Sequence, residues 1–400
     1  MLNRTPAAER IHIAIFGRRN VGKSSIINAI TDSDLSIVSA QAGTTTDPVY
    51  KTMELLPLGP VVLIDTPGYD DEGALGEKRV SRTRQVLNRT DLALLLIDAA
   101  EGLQEQDRDF WNLLLEKEIP SLIVANKSDL APSGAAAQEN TIAPILYVSA
   151  KTGDGIFALK EALGALVTEE DKPPYLQDLF APSETVVLVC PIDESAPKGR
   201  MILPQQMAIR DVLDGDGQVL VVQPAQLAGA LSSLNSPPAL VVTDSQAFAQ
   251  VSSICPESIP LTSFSILMAR YKGFLSSAIE GAAKIDTLGD GARILMSEGC
   301  THHRQCGDIG TVKLPRLLEK YTKKQLIIET SSGRDFPEDV SSYDLVIHCG
   351  GCMLTERDLR YRMKLSADQG VAFTNYGTAI AHMNGILRRS LAPLGGHFSR

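Results

Sequence analysis

Two sets of residues in this chain have the types and spacing that chemistry requires. The first begins with GRRNVGKSS, Gly17 to Ser25, which fits G-x-x-x-x-G-K-S/T between the apolar run 11–16 and the helical stretch SSIINAI. In that context Gly17 and Gly22 let the backbone wrap phosphates with its N–H groups, Lys23 reaches the β and γ phosphates, and the Ser24 hydroxyl is a magnesium ligand. LIDTPG, ending at Gly68, supplies Asp65 to hold magnesium through water and the Gly68 N–H for the γ phosphate. Asn126, Lys127 and Asp129 follow another buried run. A carboxylate at Asp129 accepts from both N1 and the 2-amino group of guanine, a donor pair that adenine lacks. Ser149, Ala150 and Lys151 suit a final loop whose backbone N–H meets the guanine oxygen, and Thr45, within AGTTTDP, stands where a first-switch threonine would bind magnesium. Five motifs in this order imply a site for GTP and GDP with Mg2+, and hydrolysis of GTP to GDP and phosphate.

The second set carries thiols and imidazoles. EGCTHHRQC contains Cys300-x-His302, and HCGGC follows at 348–352 with His348, Cys349 and Cys352. Each motif comes after an apolar run, so both belong at the carboxyl ends of neighbouring parallel strands, where ligands converge. Three thiolates with imidazoles nearby suit either an iron–sulfur cluster or tetrahedral zinc, and the glycines of HCGGC, which admit a bulky group, favour iron. Cys190 and Cys255 stand alone and read as small buried hydrophobes. His303 and Cys306 read as local contacts.

These sites need scaffolds. From 11 to 167 short apolar runs alternate with helix-length segments, the pattern of a mostly parallel sheet wrapped by helices, with strands expected at 11–16, 49–56, 61–65, 92–98, 121–126 and 145–149. The stretch 169–183 reads as a linker. Strands at 185–190, 218–222 and 239–242 with helical stretches at 204–213 and 224–231 form a small α/β unit without chemistry, a natural dimerisation module. A third α/β unit begins with a helix over 264–279 and continues with strands at 292–296, 325–329, 344–347 and 370–374. The expected division is therefore 1–170, 184–261 and 262–400. A net charge of -10 disfavours nucleic acid, and six cysteines in 400 residues are too few for a disulfide scaffold. The N-terminal stretch has no signal-peptide pattern and no run reaches a membrane span, so the chain reads as cytoplasmic.

The first unit resembles the translation-factor-related small GTPases, in the branch with an apolar residue in place of glutamine after the second switch motif; here that position is Tyr69. The resemblance implies slow hydrolysis stimulated by K+, held through Asn20 in the phosphate loop. It also implies arginine where this chain has Thr46. Over essentially the whole length, the GTPase motifs, the middle module and C-x-H followed at long spacing by H-C-x-x-C closely resemble the FeFe-hydrogenase maturation GTPases, the HydF family. That resemblance implies a homodimer with a 4Fe-4S cluster on Cys300, Cys349 and Cys352, and a fourth iron position that His302, His348 or Glu298 could fill. It further implies a scaffold and carrier for the di-iron precursor of the hydrogenase active site. Two radical-SAM maturases would supply that precursor, and apo-hydrogenase would receive it. The chain itself has no C-x-x-x-C-x-x-C radical-SAM motif. A ribosome-assembly or tRNA-modifying GTPase would share the first unit but call for a basic RNA-binding module, and a zinc-stabilised interaction protein would share the thiols.

Overall fold

The computed structural model describes residues 7–32, 37–41, 48–69, 83, 85–130, 142–167, 173–192, 201–299, 309–333 and 335–395. The chain forms two compact units, Met1–Glu170 and Asp171–Arg400.

The first unit holds a seven-stranded sheet. Its strands are β1 Ile11–Gly17, β2 Ile37–Gln41, β3 Val49–Leu55, β4 Gly59–Asp65, β5 Leu92–Asp98, β6 Ser121–Asn126 and β7 Ile145–Tyr147, in the order β2-β3-β4-β1-β5-β6-β7. The pairings from β4 through β1 to β7 are parallel, and β2 and β3 add an antiparallel edge. Sequence reading did not anticipate β2, which pairs with β3 at the rim. Alternation along the central strands buries both faces. Ile13, Ile15, Leu92, Leu94 and Leu96 pack into one core with Ile26 and Leu163, while Ala14, Phe16, Ala93, Leu95 and Ile97 pack on the opposite side with Phe110 and Leu114. A parallel sheet buried on both sides reads as near-continuous apolar runs, and these strands do. Because the chain leaves β1 towards β4 on one side and β5 on the other, the crevice at the strands' carboxyl ends opens at the phosphate loop.

The second unit contains two four-stranded parallel sheets. One, ordered β11-β10-β8-β9, is built from β8 Thr185–Val189, β9 Gln218–Val222, β10 Leu240–Thr243 and β11 Leu261–Ser263. The other, ordered β13-β12-β14-β15, is built from β12 Arg293–Glu298, β13 Ile327–Ser332, β14 Leu345–His348 and β15 Ala372–Asn375. One apolar core runs through both: Val187, Leu188, Phe264, Ala278, Leu295, Val346 and Phe373 belong to it together. Ile294, Met296, Leu345 and Ile347 face the other way, against Leu314, Leu318 and Ala379.

Two expectations for this unit change. A boundary at 262 would cut β11, which pairs with β10 through Leu261, Thr262 and Ser263. The helix expected over 264–279 is two helices, Phe264–Tyr271 and Leu275–Ala283. It breaks at Gly273, whose φ of 74° lies in the left-handed region. Lys272 caps the first helix, its N–H reaching the Met268 carbonyl at 3.0 Å. Among the described residues no helix is long and apolar enough to cross a membrane.

Candidate functional site

The phosphate loop leaves β1 at Gly17 and enters helix Lys23–Asp32. Asn20 sits at φ 62°, a left-handed conformation that asparagine tolerates better than most residues. The Lys23 ammonium donates to the Gly17 carbonyl at 2.8 Å and the Arg18 carbonyl at 2.7 Å, so it spans the loop from within. The Ser24 hydroxyl donates to Asp65 Oδ2 at 2.5 Å. This brings together the two oxygens from β4 and the helix start that the motifs assign to magnesium, and a hydroxyl beside a carboxylate is the oxygen donor set that ion prefers. Thr66, next in the chain, donates to the Ile15 carbonyl at 2.6 Å and ties the second switch to β1. Gly68 is buried.

Base-reading residues gather at the ends of β6 and β7. Asn126 is 2% exposed; its Nδ2 donates to the Val21 carbonyl at 3.0 Å and its Oδ1 accepts from the Ala150 N–H at 3.0 Å. One side chain thus joins the phosphate loop to the final loop. Ser149 Oγ donates to Asp129 Oδ1 at 2.7 Å and accepts from the Thr152 N–H, which orients the carboxylate from below. Lys127 pairs with Asp98 at 2.8 Å. Burial works against ionisation of Asp98, but the Lys127 ammonium and the Ala100 N–H outweigh it and hold its carboxyl below the usual range. Gly22 and Ser25 lie on the same loop and helix start, and Lys151 is exposed beside Ala150. Thr45 and Thr46 lie outside the described residues.

A buried polar link ties Tyr69, the residue after the second switch motif, to helix Glu105–Glu116. Its hydroxyl donates to Asp107 Oδ1 at 2.6 Å, and its ring stacks on Phe110 with centroids 4.7 Å apart. Asp107 is fully buried, accepts also from Arg18 Nε at 3.3 Å, and receives the Gln104 N–H on its second oxygen at 2.9 Å. Burial lowers the Arg18 pKa, but Asp107 and Glu101 raise it further, so the guanidinium stays charged. Sequence reading missed Asp107 as the shared partner of Tyr69 and Arg18, because it lies 38 residues from the one and 89 from the other and they meet only once the sheet is formed.

The thiol site lies in the second unit. β12 and β14 are neighbours in parallel register, Ser297 opposite His348, so the segments after both strands leave from one edge of the sheet. Cys349 Sγ accepts two backbone N–H groups, from Gly299 at 3.1 Å and Gly351 at 3.4 Å. Burial pushes the Cys349 thiol up to about 11; the Gly299 amide pulls the other way. At Cys352 burial again raises the pKa, opposed by the Lys272 charge. Gly351, at φ 64°, passes so close to helix Glu356–Asp368 that a Cβ there would stand 2.5 Å from Leu359 Cδ1.

His348 is fully buried, and both ring nitrogens are committed. Arg362 Nη1 meets Nε2 at 3.1 Å, and since guanidinium only donates, the proton sits on Nδ1, which donates to the Cys349 carbonyl at 2.8 Å. Burial, then the Arg362 charge, lowers the His348 pKa to about 3. Arg362 is 2% exposed and also reaches Asp358, Ser297 and the Gly333 carbonyl, so it fastens the ends of β12 and β14 to the helix behind them. Glu298, 6% exposed at the end of β12, accepts from the Tyr376 hydroxyl at 3.4 Å. Cys300, His302, His303 and Cys306 lie outside the described residues, and among the described residues no three His, Cys, Asp or Glu side chains gather as a metal set. Cys190 and Cys255 are buried, free thiols; burial pushes the Cys190 thiol up to about 12. Lys272 was not anticipated: its ammonium donates to the Gly351 carbonyl at 2.8 Å and to the Leu354 carbonyl, 79 and 82 residues away.

Residues 12–127 match the family model of the 50S ribosome-binding GTPases, 175–273 that of the hydrogen maturase F dimerization domain, and 276–393 that of the hydrogen maturase F tetramerization domain. The tRNA modification GTPase MnmE of Nitrosomonas europaea is 38% identical over 156 residues, covering 39% of this chain and 34% of that protein. Its counterpart from Chromobacterium violaceum is 39% identical over 156 residues with the same coverage. The chain thus spans about a third of the length of these curated relatives. Among solved structures, the G domain of the T. maritima FeoB iron transporter is 23% identical, covers 40% of this chain and 100% of that one, and superposes with a TM-score of 0.32.

Proposed function

The chain belongs to the hydrogen maturase F family; from that premise we propose that it is a hydrogenase maturation GTPase that carries a 4Fe-4S cluster on Cys300, Cys349 and Cys352 and delivers a di-iron precursor to apo-hydrogenase. The observation that carries this reading is the pair of N–H groups on Cys349 Sγ at the end of β14, with Cys352 three residues on. Backbone donors of this kind stabilise a thiolate and the sulfur of an iron–sulfur group alike. When bound, such a group offers an iron position that exchanges its ligand, which a carrier needs in order to take up cargo and let it go. Three protein thiolates leave that position open. The committed nitrogens of His348 support a role in orienting the loop rather than as the fourth ligand, and leave His302 and Glu298 as the candidates.

In the first unit the chain's own groups do the work of hydrolysis. Loop amides and Lys23 hold the phosphates, Ser24 and Asp65 set the magnesium position, the Gly68 N–H meets the γ phosphate, and Asp129 selects guanine. Tyr69 has no amide with which to orient water, which supports slow turnover. Asn20 in the phosphate loop supports stimulation by K+, and loss of the K+ response in Asn20→Ala tests it; equal rates in sodium and potassium would remove that role. Dimerisation and tetramerisation domains support a homodimer able to assemble further; its proposed place of work is the cytoplasm, and its proposed partners are two radical-SAM maturases and apo-hydrogenase.

Anaerobic purification tests the cluster directly. An iron–sulfur protein is brown with broad absorption near ~400 nm, and zinc is colourless. Changing any one of Cys300, Cys349 or Cys352 to Ala should abolish the colour and hydrogenase activation while GTP hydrolysis persists. A cluster-free triple variant that still activates hydrogenase would end the carrier reading.

A further inference from the structure

We propose that Lys272 is a positioning residue for the thiol loop, strapping it in place and setting a positive charge beside the loop whose Cys349 and Cys352 would hold the iron–sulfur group. The proposal rests on the cluster reading above and deepens it. Lys272 is 4% exposed, although a lysine is seldom buried unless its ammonium is compensated. Its partners are the Gly351 and Leu354 carbonyls, which bracket Cys352. Gly351's oxygen also accepts the Leu354 N–H at 3.0 Å, so the turn is closed from inside and fastened from outside at the same atom. On the other flank the close approach of Gly351 to Leu359 leaves the turn no room to shift towards helix Glu356–Asp368.

The strap comes from a distant part of the sequence. Lys272 ends helix Phe264–Tyr271, which follows directly on β11 of the other four-stranded sheet of this unit. The loop's geometry therefore depends on an element that belongs to the sheet without thiols. Arg362, a buried cation on helix Glu356–Asp368, pairs with Asp358 at 3.1 Å and holds His348. A fixed positive charge beside a thiolate-bound cluster favours the more negative, reduced form, and hydrogen bonding and local charge are two levers a protein has on such a potential.

The test uses the full chain, both metal-free and reconstituted anaerobically with ferrous iron and sulfide. In Lys272→Met, amide exchange across 350–355 of the metal-free chain should accelerate about tenfold, as expected when a charge-assisted hydrogen bond is lost. The reconstituted cluster should show a more negative midpoint in a titration followed by paramagnetic resonance, and should lose iron faster to a chelator. Lys272→Arg, which keeps the charge, should restore the midpoint towards wild type. Unchanged exchange and unchanged midpoint in Lys272→Met overturn the proposal. If Lys272→Met does not fold, Lys272→Arg decides, since a midpoint shifted as far as that of a cluster in the charge-free Lys272→Gln chain overturns the charge role. Wild-type chain that takes up no iron defeats the cluster reading instead, and the exchange measurement still judges the strap.

Discussion

Phenol, carboxylate and guanidinium meet at Asp107 under the second switch, and the strength of that junction can be worked out and measured. Tyr69→Phe removes a 2.6 Å hydrogen bond to a fully buried carboxylate and keeps the ring stacked on Phe110. A hydrogen bond to a charged group contributes about 1.5–3 kcal/mol, so the loss should fall in that range. Asp107→Asn keeps the shape but removes the charge that Arg18 faces and weakens the acceptor for the Gln104 N–H, for a cost of about 2–4 kcal/mol. If the two side chains act on each other directly, the double variant loses less than the sum, with a coupling of about 1–3 kcal/mol. Trp111 makes the assay clean: it is the only tryptophan in the chain, 5% exposed in the same helix as Asp107, and so reports unfolding of the first unit alone. Urea titrations of the four proteins by its fluorescence complete the cycle. Coupling below ~0.5 kcal/mol, the additivity expected of independent sites, would refute the junction.

Gly351→Ala should cost about 1–3 kcal/mol through left-handed strain and the clash with Leu359, and iron uptake should fall while GTP hydrolysis holds; normal iron content would show that the loop tolerates a Cβ. Asp129→Asn should weaken GTP and improve acceptance of xanthosine triphosphate, whose base offers a carbonyl where guanine has an amine, and competition binding with an unchanged preference would remove Asp129 from base reading. His348 is held neutral with a pKa of about 3 in the folded metal-free chain against 6.5 unfolded, so the unfolded state binds the extra proton between those values. Its contribution is complete above 6.5 and declines as pH falls through that value, by about 2 kcal/mol from pH 7 to pH 5. Urea unfolding at the two pH values, compared with His348→Gln, should show that excess in the wild type alone, and parallel slopes would count against it.

The nucleotide site was legible because its donors are contiguous: a phosphate loop needs Gly17 to Ser24 in one stretch between a strand and a helix, and no other fold element intervenes. The strands that precede the two thiol motifs were legible as apolar runs, which became β12 and β14. Lys272 and Arg362 were not, since nothing near either in the sequence points to a carbonyl or imidazole that only tertiary packing brings within reach. The helix break at Gly273 was hidden by apolar periodicity that continues on both sides of it, and β2 by its place on an antiparallel rim beside a threonine-rich loop. A single glycine in a periodic run is weak evidence, and here its left-handed φ decided the geometry.

The strand order of the thiol sheet has a consequence for how the protein is made. β12 lies inside its sheet, yet both neighbours, β13 and β14, are synthesised after it. Until His348 leaves the ribosome, β12 has at least one bare edge, and the Gly299 amide has no sulfur to meet. The first unit is complete at residue 170, and Cys352 follows 182 residues later (352 − 170). At translation rates of about 5–20 residues per second that interval is on the order of 10 to 40 s. A nascent chain can therefore hold a finished first unit while its thiol loop does not yet exist, and a message broken before β14 yields a chain that keeps the phosphate loop but lacks the strand end that seats Cys349.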